Sequence, residues 1–340
     1  MVSRLNPPRP ALVVVSAILL TTALFGLKSA TGLVMTEASH SADTDHPPLR
    51  SGAASGAPSA HRTTSTPRSS PVVTSSPAPE AAVRSPTSLP PRAQAAAQAQ
   101  PAGLTASFQQ LQSGLDARSV GLAYAVLGDS QVVRLGDWQS GSAWSTIKVP
   151  LSVAALRRSG SPKVAQQVHQ AITESSNDSA EALWALLGGG QTAATAVNDV
   201  LAHYGDARTH TQAQRVRPAY TPFGQTTWSL TSQVTFVSNL YCSKTDTAVT
   251  HEMAHISAGQ AWGLGRLEGA NFKGGWGPDT AGRYLVRQFG VVTLEGRRVA
   301  VAVAVEPGGG SFAEGTRVLD TIADWLRRNL HPTSGACAHH

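Results

Sequence analysis

The chain has 340 residues, 41% hydrophobic and 14% charged, with 21 prolines, two cysteines and a formal charge of +6. So little charge with so few cysteines excludes a coiled coil and a disulfide-stapled miniprotein. The charge divides as eight Lys/Arg against four Asp/Glu in residues 1–103 and 19 against 17 in 104–340, so the C-terminal part is nearly neutral and carries no nucleic-acid footprint. Fourteen of the 21 prolines lie within residues 1–101, while 18 of the 19 aromatic residues lie beyond residue 104. A Pro-, Ser- and Ala-rich segment with few aromatics cannot bury enough apolar surface to offset its ordering entropy. One folded unit over 104–340 is therefore expected, near the upper size of a single domain.

Residues 1–10 read as a short cytoplasmic tail. Residues 11–27 are an uncharged apolar run, with Arg4 and Arg9 before it and Lys28 after it. The run is longer than an ordinary signal-peptide core and sits at the short end of a membrane helix. The basic residues before it keep the N-terminus in the cytoplasm and send the remainder outside. The expectation is a membrane-anchored extracytoplasmic domain, or a secreted one if the segment is a cleaved signal. Residues 28–103 read as a disordered linker able to cross a cell-wall layer. Export would permit a disulfide between Cys242 and Cys337, but the sequence leaves their pairing open.

Within 104–340, residues 107–115 have helical spacing. Apolar runs at 120–127 and 131–135 are joined by Gly128-Asp129, a hairpin signal. Helical spacing then covers 145–158, 164–174, 177–187, 192–204, 230–241 and 247–257. Strand patterns return at 270–276, 283–293 and 298–306, with Glu295-Gly296 as the turn between the last two. Residues 312–329 form an amphipathic helix with Val318, Leu319, Ile322, Trp325 and Leu326 on one face. This order predicts an α+β fold: one antiparallel five-stranded sheet, flanking terminal helices and an all-helical subdomain.

Three short motifs carry chemistry. Ser145-Thr146-Ile147-Lys148 starts an apolar helix, and a spacing of three places the hydroxyl and the amine on one face. A serine attacks a carbonyl only with a base beside it, and a lysine of lowered pKa can serve. Ser175-Ser176-Asn177 lies between two helices, and Lys273-Gly274-Gly275 lies on a strand. Each pattern alone is weak. Yet the chain has only five lysines, and both motif lysines fall where serine acyl-enzyme chemistry needs them.

The ordered set resembles class A β-lactamases and the related penicillin-binding proteins. The resemblance covers about 104–330 and implies a β-lactamase/transpeptidase-like fold. It implies Ser145 as nucleophile, Lys148 as base, Ser175 as proton carrier to the leaving nitrogen and Lys273 as its support. Asn177 would hold Lys148 and the substrate amide, and Gly275 and Trp276 would border the substrate. The N–H groups of Ser145 and Trp276 would form the oxyanion hole. Arg283 falls where relatives keep a carboxylate-binding arginine. Trp144 and Trp276 are expected to line the cleft. The implied substrate is a β-lactam or a peptidoglycan stem peptide, with no cofactor and no metal, and a monomer is expected.

Three departures qualify the resemblance. Gly274 replaces a hydroxyl residue that would bond a substrate carboxylate. Only 30 positions separate Ser145 from Ser175, about half the family spacing, which implies a more open site. No Glu occurs between Glu181 and Glu252. Gln212 or a neighbour stands where class A enzymes keep the Glu that activates the deacylating water, and Gln cannot accept that proton. Asp206 is the nearest carboxylate. Acylation with slow deacylation is expected, which leans toward penicillin-binding or peptidase-like behaviour. Two rivals remain. An inactive domain that holds a wall peptide would also suit these departures. His251-Glu252-Met253-Ala254-His255 matches the H-E-x-x-H zinc pattern, with Glu268 or His331 as third ligand.

Overall fold

The computed structural model describes residues 91–333 and Cys337. The expected anchor at 11–27 and most of the expected linker lie outside these residues. Among the described residues no helix is long and apolar enough to cross a membrane.

The sheet is built from β1 (Ala117–Val126), β2 (Val133–Gly136), β5 (Asn271–Pro278), β6 (Tyr284–Leu294) and β7 (Arg297–Pro307). Their order is β2-β1-β7-β6-β5, and every neighbouring pair is antiparallel. The β6–β7 hairpin turns on Glu295 and Gly296, at φ 48° and 72°. Positive φ at both central residues matches the right-handed strand twist.

Alternation along β7 sorts the two layers, because side chains of a strand point to opposite faces in turn. Val299, Val301, Val303 and Val305 join a core with α8 (Phe312–Asn329). Ala300, Ala302 and Ala304 face the opposite core. Their small side chains let the buried helix α6 (Leu230–Cys242) lie against β1, β6 and β7. The helical subdomain packs beyond it: α2 (Lys148–Ser159), α3 (Ser161–His169), α4 (Asn177–Leu186), α5 (Gly190–His203) and α7 (Thr247–Met253). Cys242 and Cys337 form a disulfide that ties the chain's C-terminal end to α6.

Four local readings change. The first helix, α1, runs Pro91–Ser113 and so takes in the last part of the expected linker. A helix spanning 145–158 is instead a 3-10 turn, Trp144–Ile147, followed by α2. The helix expected over 164–174 ends in a π turn, Gln170–Glu174. A second, two-stranded sheet joins β3 (Ser140–Ser142) to β4 (Thr227–Ser229); three-residue strands are too short to show a period.

Candidate active site

The three motifs converge between the helical subdomain and the edge strand β5. Ser145 lies on the 3-10 turn and Lys148 opens α2. Residues i and i+3 eclipse on a 3-10 turn, so the hydroxyl and the amine share a face there too. Gly275 presses on this turn from β5: a Cβ there would lie 2.9 Å from Ser145 N and 3.0 Å from Thr146 N. Only a residue without a side chain fits that approach.

Lys148 Nζ donates to Asn177 Oδ1 at 2.8 Å and to the Ser175 carbonyl at 2.5 Å. Lys273 Nζ donates to Ser175 Oγ at 2.9 Å and to the Gly274 carbonyl at 3.0 Å. Ser175 is therefore shared by both lysines. Its backbone is left-handed, at φ 62°, where the π turn ends. Trp144, just before Ser145, is also left-handed, at φ 50°. Strained backbone of this kind persists only where surroundings over-determine it.

Both lysines are buried, 1% and 0% exposed. Burial lowers the Lys148 amine to about 7, opposed by the nearby carboxylates of Asp178 and Glu181. Lys273 is pushed well below its ordinary value, first by burial and then by the positive charge of Lys148. Burial disfavours the ammonium form, which leaves neutral amine available as a proton acceptor.

A network that the sequence did not disclose supports the Ser145 turn. Arg287, wholly buried on β6, donates to the carbonyls of Gly141, Ser142 and Trp228 and to Gln233 Oε1. Gln233 Nε2 donates to Thr146 Oγ1 at 3.0 Å, and Thr146 in turn donates to the Ala143 carbonyl at 2.5 Å. Burial pulls the guanidinium down to about 9. An arginine in a strand ordinarily reads as exposed; the cross-strand partners of Arg287 are Gly275 and Ala304, both small.

The loop before β4 borders the site. Gln212 N donates to Thr226 Oγ1 at 2.9 Å, and the Thr226 carbonyl accepts from Ala143 N at 2.7 Å. This pins Gln212 beside the Ser145 turn. The Gln212 Oε1 accepts from Gln214 N. Asp206 is committed elsewhere: it is buried and accepts from Trp228 Nε1, Arg208 N and Thr209 N.

Two of the three remaining expected residues sit differently. Arg283 lies at the β5–β6 turn, half exposed, with its guanidinium 2.9 Å from Asp279 Oδ2. Trp144 does not line the cleft: it is 8% exposed, wedged under Gly277 and against Tyr220. The Trp276 ring turns into an aromatic cluster with Trp262 and Phe312.

The zinc pattern does not assemble. Glu252 pairs with His169, His255 Nδ1 meets the His251 carbonyl, and His331 pairs with Glu295. Among the described residues no group of three His, Cys, Asp or Glu side chains is placed to hold a metal. A cavity of about 200 Å³ at the β1–β2 edge, lined by Leu135, Trp138 and Leu230, contains none of the motif residues.

No protein-family model and no curated protein matches the sequence. Solved structures do. The extended-spectrum β-lactamase TLA-1 superposes with a TM-score of 0.54 at 16% identity, over 67% of this chain and 99% of that one. A class A β-lactamase from Bacteroides cellulosilyticus gives 0.54 at 16%, over 66% and 97%. A β-lactamase from Chitinophaga pinensis gives 0.54 at 17%, over 66% and 97%. The chain therefore has the β-lactamase fold.

Proposed function

We propose that this chain is an exported serine hydrolase that forms an acyl-enzyme on Ser145. The observation that carries the reading is the pair of buried lysines joined through Ser175. Its structural likeness to β-lactamases supports a β-lactam or peptidoglycan-type acyl donor. Ser145 Oγ attacks the acyl carbonyl and its proton passes to neutral Lys148. The N–H groups of Ser145 and Trp276 receive the developing oxyanion. Ser175, held by Lys273, delivers a proton to the leaving atom, and the bond to that atom breaks. Asn177 keeps Lys148 in place and meets the substrate amide.

Deacylation is the slow step. Gln212 occupies the segment beside the nucleophile turn and cannot take a proton from water. Asp206 is locked into its own loop. An N-terminal anchor or signal at 11–27 would place the domain outside the cytoplasm, and the Cys242–Cys337 disulfide supports an oxidising compartment.

The second reading, an inactive domain that holds a wall peptide, draws on the same missing glutamate. Incubation of the full chain with a fluorescent penicillin separates the two. A long-lived adduct on wild type and none on Ser145→Ala supports the enzyme. No adduct at any concentration supports the binding domain, and rapid turnover of a chromogenic cephalosporin would refute slow deacylation.

A further inference from the structure

Gly274 follows Lys273 on β5, and the space above it is filled. A Cβ at this position would lie 3.3 Å from Trp262 Cη2 and 3.4 Å from Cζ2, with the Trp276 ring at 3.6 Å. A hydroxyl-bearing side chain would extend further into that ring. Glycine here lets the Trp262 indole pack directly on the strand, where any added side chain would press on the ring.

The indole is held in place. Gln288 lies directly across from Gly274 on β6 and is fully buried. Its Nε2 donates to the Trp262 carbonyl at 2.8 Å, and its Oε1 accepts from Leu264 N at 2.8 Å. Gly263 N donates to Asp320 Oδ1 at 2.6 Å. On the site side, Gln260 Nε2 donates to the Glu174 carbonyl, next to Ser175, at 2.9 Å. Trp262 packs edge-on to Trp276 and Phe312, with centroids 6.0 and 5.9 Å apart. Trp276 and Phe312 are 5.0 Å apart. All three rings are partly exposed, and Gly274, against which Trp262 and Trp276 pack, also accepts the Lys273 amine on its carbonyl, so the rings and that lysine meet at one residue.

Two arginines on neighbouring segments are already engaged. Arg283 is paired with Asp279. Arg217 donates to the carbonyls of Pro278 and Asp279 and stacks on Tyr220. A carboxylate set against the rings would lose water and meet two guanidiniums that are already engaged, which is costly. An apolar group would gain contact area there.

We propose that Trp262, Trp276 and Phe312 form the leaving-group subsite, and that it selects acyl donors whose leaving side is uncharged and apolar. The proposal rests on the Ser145 acyl-enzyme reading and narrows its substrate class to esters or amides without a carboxylate on that side. In the reaction the Ser145 Oγ–acyl bond forms and the bond from the acyl carbon to the leaving oxygen or nitrogen breaks. The serine proton ends on the leaving atom.

The test uses the full chain and two aryl esters of one acyl group, phenyl and meta-carboxyphenyl. The wild type should release phenol at least about tenfold faster than the carboxylated phenol. Trp262→Ala should bring that ratio close to one. Adding Gly274→Thr to Trp262→Ala should turn it toward the carboxylated ester. Equal rates or a preference for the carboxylate in wild type overturn the subsite, as does a ratio that Trp262→Ala leaves unchanged. The wild-type ratio decides even where a variant fails to fold. Labelling by a fluorophosphonate, which bears no carboxylate, reports the serine separately. A wild type that labels but lacks the preference refutes the subsite alone; one that does not label refutes the acyl-enzyme reading.

Discussion

Lys148 and Asn177 meet across the gap between α2 and α4, with Nζ donating to Oδ1 at 2.8 Å. This bond orients an amine that burial has lowered to about 7. The arrangement has a cost in stability, and its sign is testable. The unfolded amine titrates near 10.5 and the folded one near 7. Between these values the unfolded chain binds more protons, so stability rises with pH. The slope is up to about 1.4 kcal/mol per pH unit for each such group. Lys273 is displaced in the same direction and adds to it. Tm should climb from neutral pH toward the ordinary lysine range, and Lys148→Met should flatten the climb. A slope that Lys148→Met leaves unchanged contradicts the assignment.

Ser175 tests the proton path. Its hydroxyl accepts from Lys273 at 2.9 Å. Ser175→Ala should slow acylation by about 100-fold, the range of a lost proton-transfer group. Measured under single-turnover conditions, the loss should fall on the acylation rate and leave substrate affinity nearly unchanged. A variant that acylates at the wild-type rate removes Ser175 from the mechanism.

Gln212 tests the slow step. Its backbone is bound to Thr226, which also binds Ala143, two residues before the nucleophile. Gln212→Glu keeps the side-chain oxygen that accepts from Gln214 N and adds a proton acceptor. The lifetime of the acyl adduct, followed by intact mass, should shorten by about 100-fold. An unchanged lifetime places the missing base elsewhere.

The disulfide closes a span of 95 residues between α6 and the C-terminal end. Its removal should cost about 2–4 kcal/mol. Cys337→Ala should lower the denaturation midpoint by that amount at constant m-value. No change would show that the tail contributes nothing to the folded unit.

The strand β7 was legible because Val and Ala alternate along it with a period of two. The motif residues were legible because few lysines compete with them. What the sequence hid depends on contacts between distant segments. Arg287 reads as a surface residue until the cluster of carbonyls around its guanidinium is seen. Gly274 reads as a lost hydroxyl until Trp262, twelve positions earlier, is found above it. Trp144 reads as a cleft residue until Gly277 and Tyr220 are found enclosing it. The pairing of Cys242 with Cys337 was equally invisible, since separation along the chain says nothing about separation in space.

The central claim is that Ser145 is the activated nucleophile. Treat the full chain with a fluorophosphonate, weigh the intact protein, and map the modified residue by digestion. The account predicts one adduct, on Ser145, absent from Ser145→Ala and much slower to form in Lys148→Met. No adduct, or an adduct on another residue that survives in Ser145→Ala, would contradict it.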